Sequence, residues 1–397
     1  MHKIKNIDIY EVGEPSGNSA SQWSSLMLIL KLTTEDGYTG WGEAPTELMA
    51  LSVNDELKEV GRIFQNKEIT DIRKNVEEVY KHKYWLPVSM QTTAALSAFE
   101  MASWDATGKI FGIPIYKIFG GQYQDRIRTY ANAWYDNCIE PDDFVKKAKK
   151  TNDLGFTAIK FDPFGDAFDT IDDDHIKHAS SIISALRQEI PDMDIIIECH
   201  GRFNSNSAIR IAREIEKYSP MFMEEPVHPD QIEGLMRFRR ATSITVALGE
   251  RVLNNNLMLG FLRDNLTDII QPDLANFTGL MAGYQAAMMA RSFGMEVAYH
   301  NAYGPIQNSA SLNLDFTIPN FLIQENFEQF WPQWKRDLIQ KSNFVFENGY
   351  FKLVNNLPGL GIEINEKIID KYKVDAIGPY TPEEPGWVVK NTYRIKK

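Results

Sequence analysis

Six ionisable residues, Glu198, Glu224, Glu250, Asp273, His300 and Glu325, follow one another at intervals of 26, 26, 23, 27 and 25 residues. Each closes, or nearly closes, a short apolar run such as DIII ahead of Glu198 or MEVAY ahead of His300. Amphipathic stretches separate the runs; SAIRIAREIEKY (207–218) sets Ala208, Ile211, Ala212 and Ile215 on one side. A strand, a helix and two connections take about 30 residues in a β/α barrel, so the polar groups recur near the period of such a fold. Eight runs read as strands: 126–134, 157–162, 194–200, 221–225, 244–250, 267–273, 296–300 and 321–325. Eight strands alternating with helices predict a parallel β/α barrel; a doubly wound open sheet alternates in the same way and is the alternative. In a barrel the C-terminal strand ends form the rim that carries the chemistry. Lys160, in AIKFD, falls on the same rim.

The chain of 397 residues is too long for one ordinary core. Its first part reads as α+β: alternation over 3–12, then a hairpin in which Glu35-Asp36-Gly37 joins 24–34 to 38–44. Helical patterns follow over 55–118, the last with Ala95, Leu96, Phe99, Ala102 and Ala106 on one face. The expected organisation is a capping domain over 1–124, a catalytic barrel over 125–340, and a segment over 341–397 that packs back on the cap. Apolar runs such as LMLIL (26–30) are far short of the roughly 20 residues of a membrane span, and the opening MHKIKNIDIYEV reads as a strand rather than a signal peptide. Two cysteines, Cys138 and Cys199, build no disulfide framework and point to a reducing, cytoplasmic compartment. A net charge of −12 argues against a nucleic-acid partner. No membrane partner is expected either.

Three carboxylates on successive strands, Glu198, Glu224 and Glu250, would repel one another and resist ionising. A hard divalent cation removes that penalty; all-oxygen ligands select Mg2+, with Mn2+ also accepted. The alternative is surface acids paired with Arg or Lys. Asp273 beside His300 holds one tautomer and raises the basicity of the other nitrogen, as a general base needs, although a lone histidine is more often a core residue. Alternation along a strand puts Glu198 and His200 on one face and Cys199 on the other, which offers His200 as a second proton-transfer group. Lys160 either neutralises a substrate carboxylate or salt-bridges a rim acid. Glu325 either donates to an oxygen where charge accumulates, for which it must be protonated, or is a helix-start acid. The set suits proton abstraction from the carbon beside a carboxylate, followed by loss of a β-hydroxyl.

The stretch ALSAFEMASWDATGKIFGIPIYKIFGG (95–121), followed in order by KFD, ECH, EEP, GER, QPD, YH and QEN, resembles the enolase superfamily, in its mandelate-racemase-type branch. That resemblance implies a modified TIM barrel, (β/α)7β, under an α+β N-terminal capping domain. It implies metal ligands at Glu198, Glu224 and Glu250, a base dyad of His300 and Asp273, and a strand-eight acid at Glu325. Closer in, ECHGRFNSNSAI, KFDPFG, FMEEPVH, HNAYGPIQN, WPQWKRDL and PGLGIEINEKII resemble the archaeal-type gluconate dehydratases. These are hydro-lyases that turn D-gluconate, and with it D-galactonate, into a 2-keto-3-deoxy acid. By that likeness His300 takes the C2 proton, His200 protonates the leaving 3-hydroxyl, Lys160 and Glu325 contact the carboxylate and enediolate, and Arg202 binds substrate. A homo-oligomer is implied as well. The loop EPSGNSASQW (14–23) is expected to close as a lid, with Trp23 packing on the sugar chain or anchoring the loop. Two departures stand out: Asp162 replaces a frequent second lysine, and Glu198 a common aspartate. The rivals are a dehydratase of another aldonic or aldaric acid, a cycloisomerase of the same superfamily, and a binding homologue without catalysis.

Overall fold

The computed structural model describes residues 2–14, 26–46, 49–85 and 88–374. Strands β1 (Ile4–Gly13), β2 (Leu26–Thr34) and β3 (Thr39–Ala44) form an antiparallel sheet in that order. The β2–β3 hairpin turns where the sequence places it, with Gly37 at φ 90°. Helices α1 (Ala50–Phe64) and α3 (Met90–Phe111) pack on this sheet, and α2 (Ile72–His82) packs on those two helices. Ser89 caps α3 by accepting from the Thr92 amide at 3.2 Å, and Gly112, at φ 68°, ends it in the left-handed conformation. A Cβ on Gly40 or Gly42 would collide with the carbonyls of Ala102 and Ala98, so these two glycines let β3 lie directly on the α3 backbone. On its other side α3 reaches the barrel, where Glu100 accepts from the amides of Leu280 and Met281 at 2.7 and 2.9 Å. A short α4 (Ile115–Ile118) leads out of the cap.

Eight parallel strands follow: β4 (Ile127–Ala131), β5 (Ala158–Phe161), β6 (Asp194–Glu198), β7 (Phe222–Glu224), β8 (Val246–Leu248), β9 (Ile269–Ile270), β10 (Glu296–Val297) and β11 (Gln324–Asn326). Seven of them are followed by helices α5 (Pro141–Asp153), α6 (Asp173–Glu189), α7 (Ser205–Ile215), α8 (Ile232–Arg239), α9 (Asn255–Arg263), α10 (Gly279–Ser292) and α11 (Pro305–Asp315). The ring closes, which rules out the open sheet. β11 pairs in parallel with β4, and Val297 of β10 exchanges hydrogen bonds with Asn320 and Leu322, just ahead of β11, at 2.9 Å each. The expected α7 face, Ala208, Ile211, Ala212 and Ile215, is buried against the strands.

A short α12 (Gln333–Asp337) precedes β12 (Ile339–Ser342), β13 (Phe344–Glu347), β14 (Tyr350–Leu353), β15 (Ile362–Ile364) and α13 (Glu366–Lys371). The β13–β14 hairpin adds antiparallel to β4. Beyond it the chain reaches the cap, where Tyr372 accepts from Gly13 and Val374 donates to Glu11, both at 2.8 Å.

The barrel interior is layered. Tyr130, Ala158, Ile196, Phe222, Ala247, Ile269, Ala298 and Ile323, one from each strand or its flank, form an enclosed apolar floor. Each fully buried Ile or Phe there contributes roughly 1.5–3 kcal/mol. Side chains alternate along a strand, so the next inward position is two residues on. Those positions hold Asn132, Lys160, Glu198, Glu224, Gln271, His300 and Glu325. Only at 249 is the place taken by glycine, whose Cβ would strike the Gln271 backbone; there Glu250 supplies the acid instead.

Candidate active site

One carboxylate oxygen from each of Glu198, Glu224 and Glu250 lies within 4.8 Å of the others. In octahedral Mg2+ sites ligand oxygens sit about 3 Å apart when adjacent and about 4 Å when opposite, so small rotamer changes would let all three share one ion. The electrostatics favour a cation. Burial, and then the Glu198 carboxylate, push Glu224 well above the usual carboxylate range. Glu198 resists burial because His200 and Lys160 hold it down to about 2. Glu250 is likewise lowered, its burial outweighed by Arg251 and His300. The cluster therefore disfavours three bare carboxylates side by side, the mark of anionic ligands without enough positive charge.

Lys160 is 2% exposed, and its ammonium lies 2.6 Å from Glu224, 2.8 Å from Glu325 and 3.1 Å from Glu198. Of its two readings from sequence, the salt bridge to rim acids is the one this geometry realises. Glu325 ends the inward row of the eighth strand. Its Oε1 accepts from Asn132 and its Oε2 from the Asn301 amide, both at 2.8 Å. Burial works against ionisation, yet Lys160, His300 and that amide lower its pKa. These partners favour the ionised form of Glu325 in this arrangement.

His300 Nδ1 lies 2.6 Å from Asp273, and its Nε2 lies 3.3 Å from Glu250 and 3.9 Å from Glu325. Burial opposes its charge, but Glu250, Glu325 and Asp273 outweigh burial and raise it to about 10. Asp273 is itself raised by burial, while the Ala275 amide and the Gln307 side chain donate to its Oδ1 at 2.8 Å each. His200 follows β6, which is four strands from β10 in the ring of eight and hence on the opposite flank.

Strand alternation does not place His200. β6 ends at Glu198, and His200 has φ 53°, a left-handed turn that swings its ring over the rim while its amide donates to Glu198 at 2.6 Å. Its Nδ1 lies 2.8 Å from Asp162, making a second histidine–aspartate pair. Cys199 does face the outer core, fully buried. Arg202 lies just beyond this turn. Its guanidinium is buried and donates to both Asp162 oxygens (2.7 and 3.0 Å) and to the carbonyls of Ala167, Cys199 and Gly165. With these donors directed at the protein, Arg202 clamps Asp162; opposing its burial, Arg202 and then His200 hold Asp162 well below the carboxylate range. Trp23 and the loop 15–23 lie outside the described residues.

Sequence reasoning missed Asn132, Gln271, Gln307 and the pairing role of Asp162. Gln271 donates to Glu224 at 2.7 Å. Asn132 and Gln271 each sit two residues beyond a floor residue, a signal that the alternation rule could have read. A cavity of about 650 Å3 between α2, α3, α9 and α10 contains none of these residues, so chemistry rather than volume marks the site.

A closed parallel barrel that aims carboxylates, a lysine and two histidines from its strand ends, beneath an α+β cap, defines an enolase-type protein. The chain belongs to the mandelate racemase / muconate lactonizing enzyme family: residues 18–120 match the N-terminal domain of that name and residues 143–368 the enolase C-terminal domain-like model. It is 47% identical over 395 residues to a D-gluconate/D-galactonate dehydratase of Picrophilus torridus, covering 99% of this chain and 100% of that one. It is 38% identical, over 99% of this chain and 78% of the other, to a D-gluconate dehydratase of Thermoproteus tenax. Among solved structures, a member of the enolase superfamily from Salmonella Typhimurium superposes with a TM-score of 0.86 at 26% identity, over 94% of this chain and 98% of that one. Among the described residues no helix is long and apolar enough to cross a membrane.

Proposed function

We propose that the protein dehydrates D-gluconate, and D-galactonate with it, to the 2-keto-3-deoxy acid, as a cytoplasmic homo-oligomer holding Mg2+ at Glu198, Glu224 and Glu250. The observation that carries the chemistry is the pair of histidines, each backed by an aspartate, that follow strands on opposite sides of the ring beside the acid cluster. The 47% identity to a D-gluconate/D-galactonate dehydratase supports the substrate. His300 Nε2 takes the C2 proton, with Asp273 fixing the ring through Nδ1 and stabilising the imidazolium. When bound, the divalent cation would offset the carboxylates that raise His300 and stabilise negative charge on the substrate carboxylate. Lys160 puts a further positive charge beside the developing enediolate. His200, oriented by Asp162, gives a proton to the 3-hydroxyl as it departs, and the enol product tautomerises to the ketone. Asp162 stands where a racemase would carry a second lysine base, which favours elimination over epimerisation.

Purified protein with Mg2+ is expected to release a 2-keto-3-deoxy acid from D-gluconate in a panel of aldonic and aldaric acids. Product from another acid alone would keep the chemistry and replace the substrate; no product from any acid would sink the proposal. His200→Asn is expected to slow water loss by about 10²–10⁴-fold while exchange of the C2 proton in D2O continues. Equal loss of both would remove His200 from the role of acid.

A further inference from the structure

We infer that the capping domain aims the base dyad: Glu43, on the cap, and Gln307, on the barrel, are positioning residues that hold Asp273 and His300 in their mutual geometry. The inference rests on the dyad role proposed above.

Gln307 is fully buried in the first turn of α11. Its Nε2 donates to Asp273 Oδ1 at 2.8 Å and to the His300 carbonyl at 3.2 Å. Its Oε1 accepts from the Tyr303 amide at 3.1 Å. One side chain thus ties the aspartate, the backbone of the histidine and the turn that follows it. Because Gln307 and the Ala275 amide both take Oδ1, Oδ2 is left to the imidazole and the plane of the carboxylate is set. A neutral amide does this without adding a charge that would compete for Asp273.

Gln307 is in turn held from the cap. Glu43, 1% exposed on β3, accepts from the amides of Ile306 and Gln307 at 3.2 and 3.1 Å, two donors that a helix start leaves without intrahelical partners. A Cβ on Gly304 would strike Met27 and Glu43, so glycine there is what allows β2 and β3 to approach this helix. Lys335 secures the same turn through the Tyr303 carbonyl at 2.7 Å, and the Tyr303 ring stands edge-on to His300 at 5.9 Å. Burial raises Glu43 to about 7, so the position does not depend on a full negative charge. Neither Glu43 nor Gln307 touches the imidazole Nε2. They act through Asp273 and the backbone.

The test uses the full-length protein and four variants. Gln307→Leu and Glu43→Ala are expected to lower kcat about 10- to 100-fold, the range typical for removing groups that orient a site residue, with KM within about threefold. Glu43→Gln, which keeps an oxygen for the two amides, is expected to retain kcat within about threefold. A readout independent of turnover is the low-field proton resonance of the His300–Asp273 hydrogen bond, assigned by its loss in Asp273→Asn. It is expected to shift in Gln307→Leu and Glu43→Ala while the His200–Asp162 resonance stays in place. If the wild type turned over no sugar acid, the proposed function would fail and the resonances would still decide this inference. Unchanged kcat and an unchanged dyad resonance in Gln307→Leu would overturn it. So would an equal shift of both resonances, which would signal general loosening, and, should Gln307→Leu fail to fold, equal behaviour of Glu43→Ala and Glu43→Gln.

Discussion

Replacing His300 with asparagine is expected to abolish exchange of the substrate C2 proton and to lower turnover by about 10²–10⁴-fold, the range a positioned proton-transfer group supplies. The direction of the imidazole makes the effect specific. Nδ1 is committed to Asp273 at 2.6 Å, which leaves Nε2 as the nitrogen facing Glu250 and Glu325 across the mouth. Asparagine has a donor for Asp273 but no titratable nitrogen to accept a proton. The loss should therefore fall on kcat, with the fold kept by Gln307 and the Asn301–Glu325 contacts around the site. The sign of the pH dependence follows from the raised pKa of His300: the imidazolium is inactive as a base, so wild-type exchange climbs as pH rises and the proton is released. The variant should show no such limb. Proton NMR in D2O reads C2 exchange directly, and ketone formation reads the whole reaction. Exchange at the wild-type rate in His300→Asn would place the base elsewhere, with His200 the next candidate.

Much of this site was legible because a barrel writes its interior in steps of two residues along each strand. The apolar floor at Ile196, Phe222 and Ile323 is followed two positions later by Glu198, Glu224 and Glu325, and the β/α repeat brings them to one rim. Closure was not legible, since an open sheet alternates in the same way; it is settled by the pairing of β11 with β4. Alternation also stops where the strand stops. His200 lies beyond Glu198 in a left-handed turn, and Arg202 beyond it folds back on Asp162, so neither direction could be read from periodicity. The ionisation of Glu325 depends on Lys160 and Asn301, which come from other strands. Neutral amides are the hardest to find. Asn132, Gln271 and Gln307 carry no chemical signature in sequence, and each gains its role from the carboxylate that folding brings to it.

Chelation of the divalent cation is expected to stop turnover, and added Mg2+ to restore it. Without a cation the acid cluster is expected to hold a proton, because Glu224 is raised by burial and by Glu198 while Lys160 is shared among Glu198, Glu224 and Glu325. Ion and proton compete for the same oxygens, so metal uptake should release protons and its affinity should fall as pH is lowered. Calorimetry in two buffers of different ionisation enthalpy measures that release; identical heats would show that Glu224 held no proton to lose. Binding to the native state alone should also raise the melting temperature, since ligand at 100 times its dissociation constant adds about 2.7 kcal/mol of stability. Glu224→Gln keeps the outline of the side chain but removes one negative charge and the proton that competes. It should weaken Mg2+ binding and flatten its pH dependence together. Weakened binding with the pH dependence intact would move the proton to another acid of the cluster, and full turnover in protein stripped of metal would remove the cation from the reaction.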